Sequence, residues 1–131
     1  SEITGRSIYR DCMDQTFSYF SADLSVHPSA YCYALTVLSS QFHPSRQLVI
    51  TAKKESLPEE FLELLSRRQM TDLTVLVKTE RNKDMLAAIA PFTKEYPVLP
   101  DKISCYLCRG RACQAPVFDA ESLEALLKEA D

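Results

Sequence analysis

Two periodicities alternate along the chain. In the first forty residues apolar side chains recur at steps of three and four: Tyr9, Met13, Phe17 and Phe20, with Ile8 and Cys12 beside them. That spacing predicts an amphipathic helix. Ser21 to His27 breaks the pattern, and Pro28 suits the first turn of a second helix. In that helix Tyr31, Ala34, Leu35, Leu38 and Phe42 share a face, and it must end before Pro44. From Gln47 the period changes. Leu48-Val49-Ile50 is a continuous apolar run that predicts a strand buried on both faces. Ser56 with Glu59 predicts a capping box, followed by a helical stripe of Leu57, Phe61, Leu64 and Leu65 that ends near Arg68. Leu73 to Val77 reads as a second strand, and Asn82 as the cap of a short helix that Pro91 interrupts. Tyr96 to Pro100 reads as a connection and Ile103 to Cys108 as a third strand. A turn at Gly110 and a fourth, antiparallel strand from Cys113 to Phe118 follow, with Pro116 marking an edge. Asp119 caps a last helix bearing Leu123, Leu126 and Leu127.

The resulting order, α-α-β-α-β-α-β-β-α, predicts an α/β fold. The expected sheet has four strands, mixed and mostly parallel, with helices on both faces. Its topology is Rossmann-like or thioredoxin-like, since both give the same string. Residues 1–43 form a two-helix extension and residues 44–131 a small α/β domain.

Composition narrows the function classes. The 131 residues carry 15 Lys plus Arg against 18 Asp plus Glu, a formal charge of −3, which argues against a phosphate-neutralising nucleic-acid binder and a polybasic membrane clamp. No apolar run is long enough to span a bilayer. Ser1 to Asp14 does not read as a signal peptide, so the expected compartment is the cytoplasm. With only two glycines, Gly5 and Gly110, neither common glycine-rich phosphate loop is available. No cofactor is expected, and no paired carboxylates mark a glycosidase.

Cysteines supply the candidate chemistry, at positions 12, 32, 105, 108 and 113. In a reducing compartment the default is free or buried thiols. Cys108 and Cys113 flank a four-residue turn, and three states are open to them: small apolar packing, a cross-hairpin disulfide serving as a redox pair, or metal ligation. Metal is disfavoured because Cys105 and Cys108 point to opposite faces of a strand. The one Cys-x-x-Cys, Cys105 to Cys108, lies within that strand, not at a helix start where a dipole would activate it. Arg109 and Arg111 flank the turn as a candidate anion contact, and Lys53 with Lys54 precede a helix start. For all four a solvated surface is the plainer reading. His27 and His43 stand before prolines and read as boundary residues. The aromatic stripe of the first helices reads as packing between them.

The segment Tyr106-Leu107-Cys108 to Cys113-Gln114-Ala115-Pro116 resembles the C-terminal end of thioredoxin-domain-containing proteins of the spermatogenesis-associated protein 20 (YyaL-like) family. That family shows an aromatic-x-Cys, four residues, then Cys-Gln-x-Pro, an acidic stretch and a closing helix. The matching positions are Tyr106, Cys108, Cys113, Gln114 and Pro116, with Asp119 and the Leu123 to Leu127 helix after them. Arg46 to Ile50, Leu73 to Val77, Ala90-Pro91-Phe92 and the helices of Tyr9 to Gln41 also resemble parts of the family. Thr51 to Glu55 departs from it, standing where the family has a Gly-Asp-rich turn. The resemblance implies a C-terminal portion of a longer protein. It implies an accessory, non-catalytic domain packed on a helical toroid whose site lies elsewhere, with self-association through exposed helices as a further expectation. The alternative is a redox-sensing module using Cys108 and Cys113.

Overall fold

A computed structural model describes residues 3–42, 46–67, 73–109 and 112–129. The chain divides into two compact units, Ser1–Pro44 and Ser45–Asp131.

The first unit is helical. Helix α1 spans Ser7–Val26 and closes with the His27 amide donating to the Asp23 carbonyl at 2.8 Å. Pro28 opens a 3-10 turn, Pro28–Tyr31, and α2 follows over Cys32–Ser40. Tyr31, Ala34, Leu35 and Leu38 are half-buried, as a shared face requires, but Phe42, expected on that face, lies beyond the end of α2 and is 76% exposed. The aromatic stripe does not become a core between the helices. Tyr19 is 82% and Tyr33 85% exposed, and Leu24 is the only buried residue among those described in this unit. The reason is angular. Tyr19 and Phe20 are neighbours, and Tyr31 and Tyr33 are two apart, so one helix interface cannot cover them all. Only part of the stripe is joined: Tyr19 meets Phe20 edge-on at 4.9 Å, and Phe20 reaches Tyr31 of the 3-10 turn at 6.4 Å. His43 and Pro44 lie outside the described residues.

The second unit begins with a βαβ half: β1 (Arg46–Thr51), α3 (Glu59–Arg67) and β2 (Leu73–Lys78). All six residues of β1 are buried, as the continuous apolar run predicts. Strands β1 and β2 pair in parallel, Leu48 opposite Val75 and Ile50 opposite Val77. The helix starts later than the capping box predicts: the Pro58 carbonyl accepts from Phe61 and Leu62, which leaves Ser56 upstream of the first turn. Arg68, the expected helix end, is outside the described residues.

Next come α4 (Lys83–Ile89), a 3-10 helix (Pro91–Glu95), β3 (Ser104–Arg109), β4 (Ala112–Cys113) and α5 (Ala120–Glu129). The sheet order is β2-β1-β3-β4. It is mixed, as expected, but the parallel pairing is confined to β1 and β2. Strand β3 runs antiparallel to β1, Ile50 opposite Cys105, and β4 antiparallel to β3. The expectation of a mostly parallel sheet is therefore corrected, and with it the Rossmann-like alternative with a terminal hairpin, in which β3 would run parallel to β1. Strand β3 starts beside Thr51, at the end where β2 finishes, so the segment carrying α4 and the 3-10 helix does not return to the other end of the sheet.

Alternation divides the core. On one face Leu48, Ile50, Cys105 and Leu107 pack with Phe61 of α3 and Leu123 and Leu127 of α5. Each such side chain, fully buried, contributes roughly 1.5–3 kcal/mol. On the other face Val49 and Cys108 pack with Tyr96, flanked by Leu76, Phe92 and Tyr106. Asn82 stands at the α4 N-cap, but its side chain turns back, accepting from the Thr79 amide and donating to the Val77 carbonyl. Asp119 caps α5 as expected, accepting from the Ser122 amide at 2.7 Å.

Candidate redox site

The fourth strand is shorter than the sequence suggests. Regular pairing covers Ala112 and Cys113 only, and an isolated bridge joins Val117 to Cys105. Between the Gln114 amide, which donates to the Leu107 carbonyl at 2.9 Å, and that bridge, one extra residue enters the β4 side. Pro116 lies in this interruption, where its lack of an amide proton does no harm. The expected strand over Cys113–Phe118 is thus a two-residue strand, a bulge and a bridge.

Cys108 sits directly opposite Cys113, with Cα atoms 3.9 Å apart, and the two sulfurs form a disulfide. Because the Gln114 amide donates across the ladder to Leu107, the cysteines occupy the next, non-hydrogen-bonded position, where facing side chains come closest. The two ends of the bridge differ. Cys108 is 2% exposed, whereas Cys113 stands exposed on the edge strand.

A buried phenol joins them. The Tyr96 hydroxyl lies 2.8 Å from the Cys113 sulfur and 3.2 Å from the Cys108 sulfur. Bridged sulfurs carry no proton, so the phenol is the donor, and its single O–H lies within reach of either sulfur. The Tyr96 ring packs against Tyr106 at 4.5 Å and edge-on to Phe92 at 6.5 Å. Its backbone is held too. The ammonium of Lys78, 6% exposed, donates to the carbonyls of Thr93 and Tyr96, each at 2.7 Å. Burial pushes the Tyr96 hydroxyl above its ordinary pKa, with the charge of Glu95 and the neighbouring Tyr106 adding to it. Burial likewise pulls Lys78 down, aided by Lys83.

Of the sequence candidates, the structure brings together Tyr106, Cys108 and Cys113. Gln114 contributes its amide to the ladder, and Pro116 is exposed beyond the site. Arg109 ends β3 and is exposed, while Gly110 and Arg111 lie outside the described residues. Cys105 is buried on the opposite face, as strand alternation predicts. Its thiol is pushed up to about 12 by burial, with Asp119 adding to the rise. Lys53 and Lys54 are exposed beside a depression they share with Lys102. Among the described residues no group of three or more His, Cys, Asp or Glu side chains is placed to hold a metal, and no helix is long and apolar enough to cross a membrane.

Sequence reasoning missed Tyr96 and Lys78. Tyr96 falls in a proline-flanked connector with no periodicity. Its one signal is a large aromatic where a solvated linker needs none. Lys78 continues the alternation of Thr74 and Leu76 on β2, a parity that places its side chain on the face of Tyr96. No protein-family model, curated protein or solved structure matches the chain.

Proposed function

We propose that the second unit is a redox-responsive module in which Cys108 and Cys113 cycle between dithiol and disulfide. The observation that carries this reading is the asymmetry of the pair: one sulfur exposed, one buried, with a single phenol within hydrogen-bond reach of both. An exposed end gives a reductant access, and a hydrogen-bond donor stabilises the thiolates that exchange produces. In the cytoplasm, the compartment we propose, such a bridge is transient and signalling in character. The order β2-β1-β3-β4 with β3 reversed supports a thioredoxin-like topology for the scaffold. The redox position is not that of a helix-start Cys-x-x-Cys, because Glu55-Ser56-Leu57-Pro58 precedes α3.

A second reading is compatible with the first. The exposed aromatic rings of α1 and α2 favour an accessory role, in which these helices pack on the remainder of a longer chain, a helical toroid in the family that the cysteine segment resembles.

Redox titration tests the proposal. The chain is equilibrated in glutathione buffers, and thiols are counted after unfolding. Five thiols are expected on the reducing side and three on the oxidising side. The expected midpoint lies between roughly −200 and −280 mV, within reach of cellular thiol pools. A midpoint below about −330 mV would make the bridge a structural staple. Five thiols at every potential would remove the pair from redox chemistry altogether.

A further inference from the structure

We infer that Cys113 is the sulfur attacked by an incoming thiolate and that the Tyr96 hydroxyl is the catalytic donor that receives each leaving sulfur in turn. This rests on the switch reading above and adds its direction and its catalytic group.

Access sets the direction. Attack on a disulfide needs approach to one sulfur from the side away from the other. Cys113 is exposed on the edge strand, while Cys108 is packed with Val49 and Tyr96. The reductant thiolate therefore bonds to the Cys113 sulfur, and the bond to Cys108 breaks. The electron pair stays on the Cys108 sulfur, 3.2 Å from the Tyr96 oxygen, and that thiolate then takes a proton from water. With a dithiol such as dithiothreitol, the reductant's other thiolate attacks its own sulfur in the mixed disulfide in the second step. Cys113 leaves with the electron pair, 2.8 Å from the same hydroxyl, and is protonated in turn. In sum the dithiol gives up two electrons and two protons and becomes a disulfide, and the cysteine pair takes up both. A monothiol reaches the same end through two molecules, the second attacking the first's sulfur in the mixed disulfide.

One hydroxyl reaches both sulfurs, so neither step requires the phenol to move. Burial raises the Tyr96 pKa, which keeps the group protonated and hence a donor throughout. Lys78 is a positioning residue: it fixes the backbone at Thr93 and Tyr96 and touches neither sulfur. A hydrogen bond to a charged group is typically the stronger kind, so its loss slows exchange by about tenfold or more.

The test uses the full chain with Cys12→Ser and Cys32→Ser, which removes the exposed thiols outside the pair; Cys105 stays silent through burial. Dithiothreitol should reduce the bridge about tenfold more slowly after Tyr96→Phe. In a Cys108→Ser background, the pH of half-maximal iodoacetamide alkylation of Cys113 should rise by about one unit after Tyr96→Phe, a shift that a merely structural tyrosine would not cause. Glutathione disulfide should trap Cys113 in Cys108→Ser and leave Cys108 untrapped in Cys113→Ser. This arm does not depend on how Tyr96→Phe folds. Equal trapping of both sulfurs, or an unchanged rate and pH profile in Tyr96→Phe, overturns the inference while the reversible switch stands. A folded chain whose bridge resists dithiothreitol entirely overturns both.

Discussion

Reducing the Cys108–Cys113 bridge should weaken the second unit only modestly, and the size follows from the loop it closes. The cysteines are five positions apart, so the closed loop holds six residues. The chain-entropy relation for a loop of that size gives about 2 kcal/mol at 25 °C, against about 4.7 kcal/mol for a loop of a hundred residues. Other contacts keep the reduced hairpin in place: the Gln114–Leu107 ladder bond, the paired bonds between Cys105 and Val117, and the burial of Leu107. The chain has no tryptophan, so far-UV circular dichroism in urea is the assay, run on oxidised and reduced protein. The midpoint should shift by an amount equal to about 2 kcal/mol, with cooperativity intact. Linkage then fixes a second number. The same free energy makes the folded pair harder to reduce than the unfolded pair by about 45 mV, since 30 mV corresponds to about 1.4 kcal/mol for two electrons. Potentials measured with and without concentrated urea should differ by that amount. A loss above about 4 kcal/mol, or a reduced chain without a cooperative transition, would refute the reasoning and make the bridge a structural requirement.

Three further outcomes are expected. Lys78→Met should destabilise the unit by about 2–4 kcal/mol in urea, because the carbonyls of Thr93 and Tyr96 lose their buried donor; a change below about 0.5 kcal/mol would show that water replaces the ammonium. Asp119→Ala should lower the melting temperature by removing the α5 cap, and Asp119→Asn should lower it less. The Ser122 amide, and then its hydroxyl, hold the Asp119 carboxyl below its usual range. That contribution is therefore complete above the ordinary carboxylate pKa and is lost as the pH falls through the lower folded value, an acid-limb loss that Asp119→Asn should abolish in melting curves. Iodoacetamide at neutral pH should label Cys12 and Cys32 in the folded, oxidised chain and leave Cys105 untouched; labelling of Cys105 without unfolding would contradict its burial.

Much of the scaffold was legible because its signals are local. Leu48-Val49-Ile50 announces a strand covered on both sides, and the Asp119–Ser122 spacing announces a cap. Strand direction is not written in local pattern: the apolar alternation of β3 is the same whichever way it runs, and only its pairing with β1 decides it. The hairpin was legible as a fold-back and overextended in length, since Pro116 marks a bulge within the pairing and not merely an edge. The cysteine pair was visible as three open states, and only the register of β3 on β4 selects among them. Tyr96 was not legible as part of the site. It meets sulfurs twelve and seventeen positions away, and a contact of that range leaves no trace in a window of local pattern.

Strand parity assigns the chemistry of the three neighbouring cysteines. Cys105 and Cys108 are three positions apart on β3, so alternation sends them to opposite faces. The face of Cys105 is closed by α3 and α5, with Leu48, Ile50, Phe61, Leu123 and Leu127 around it, and that burial suppresses its thiolate. The face of Cys108 is covered more thinly, by a 3-10 helix that delivers Tyr96, and it opens at the edge strand through Cys113. A one-residue slip of β3 against β1 would exchange these environments, placing the bridge under the helices and the lone thiol beside the phenol. The register that buries the aliphatic core therefore also decides which sulfurs are bridged and which thiol is sealed, so the core and the proposed redox pair share one structural cause.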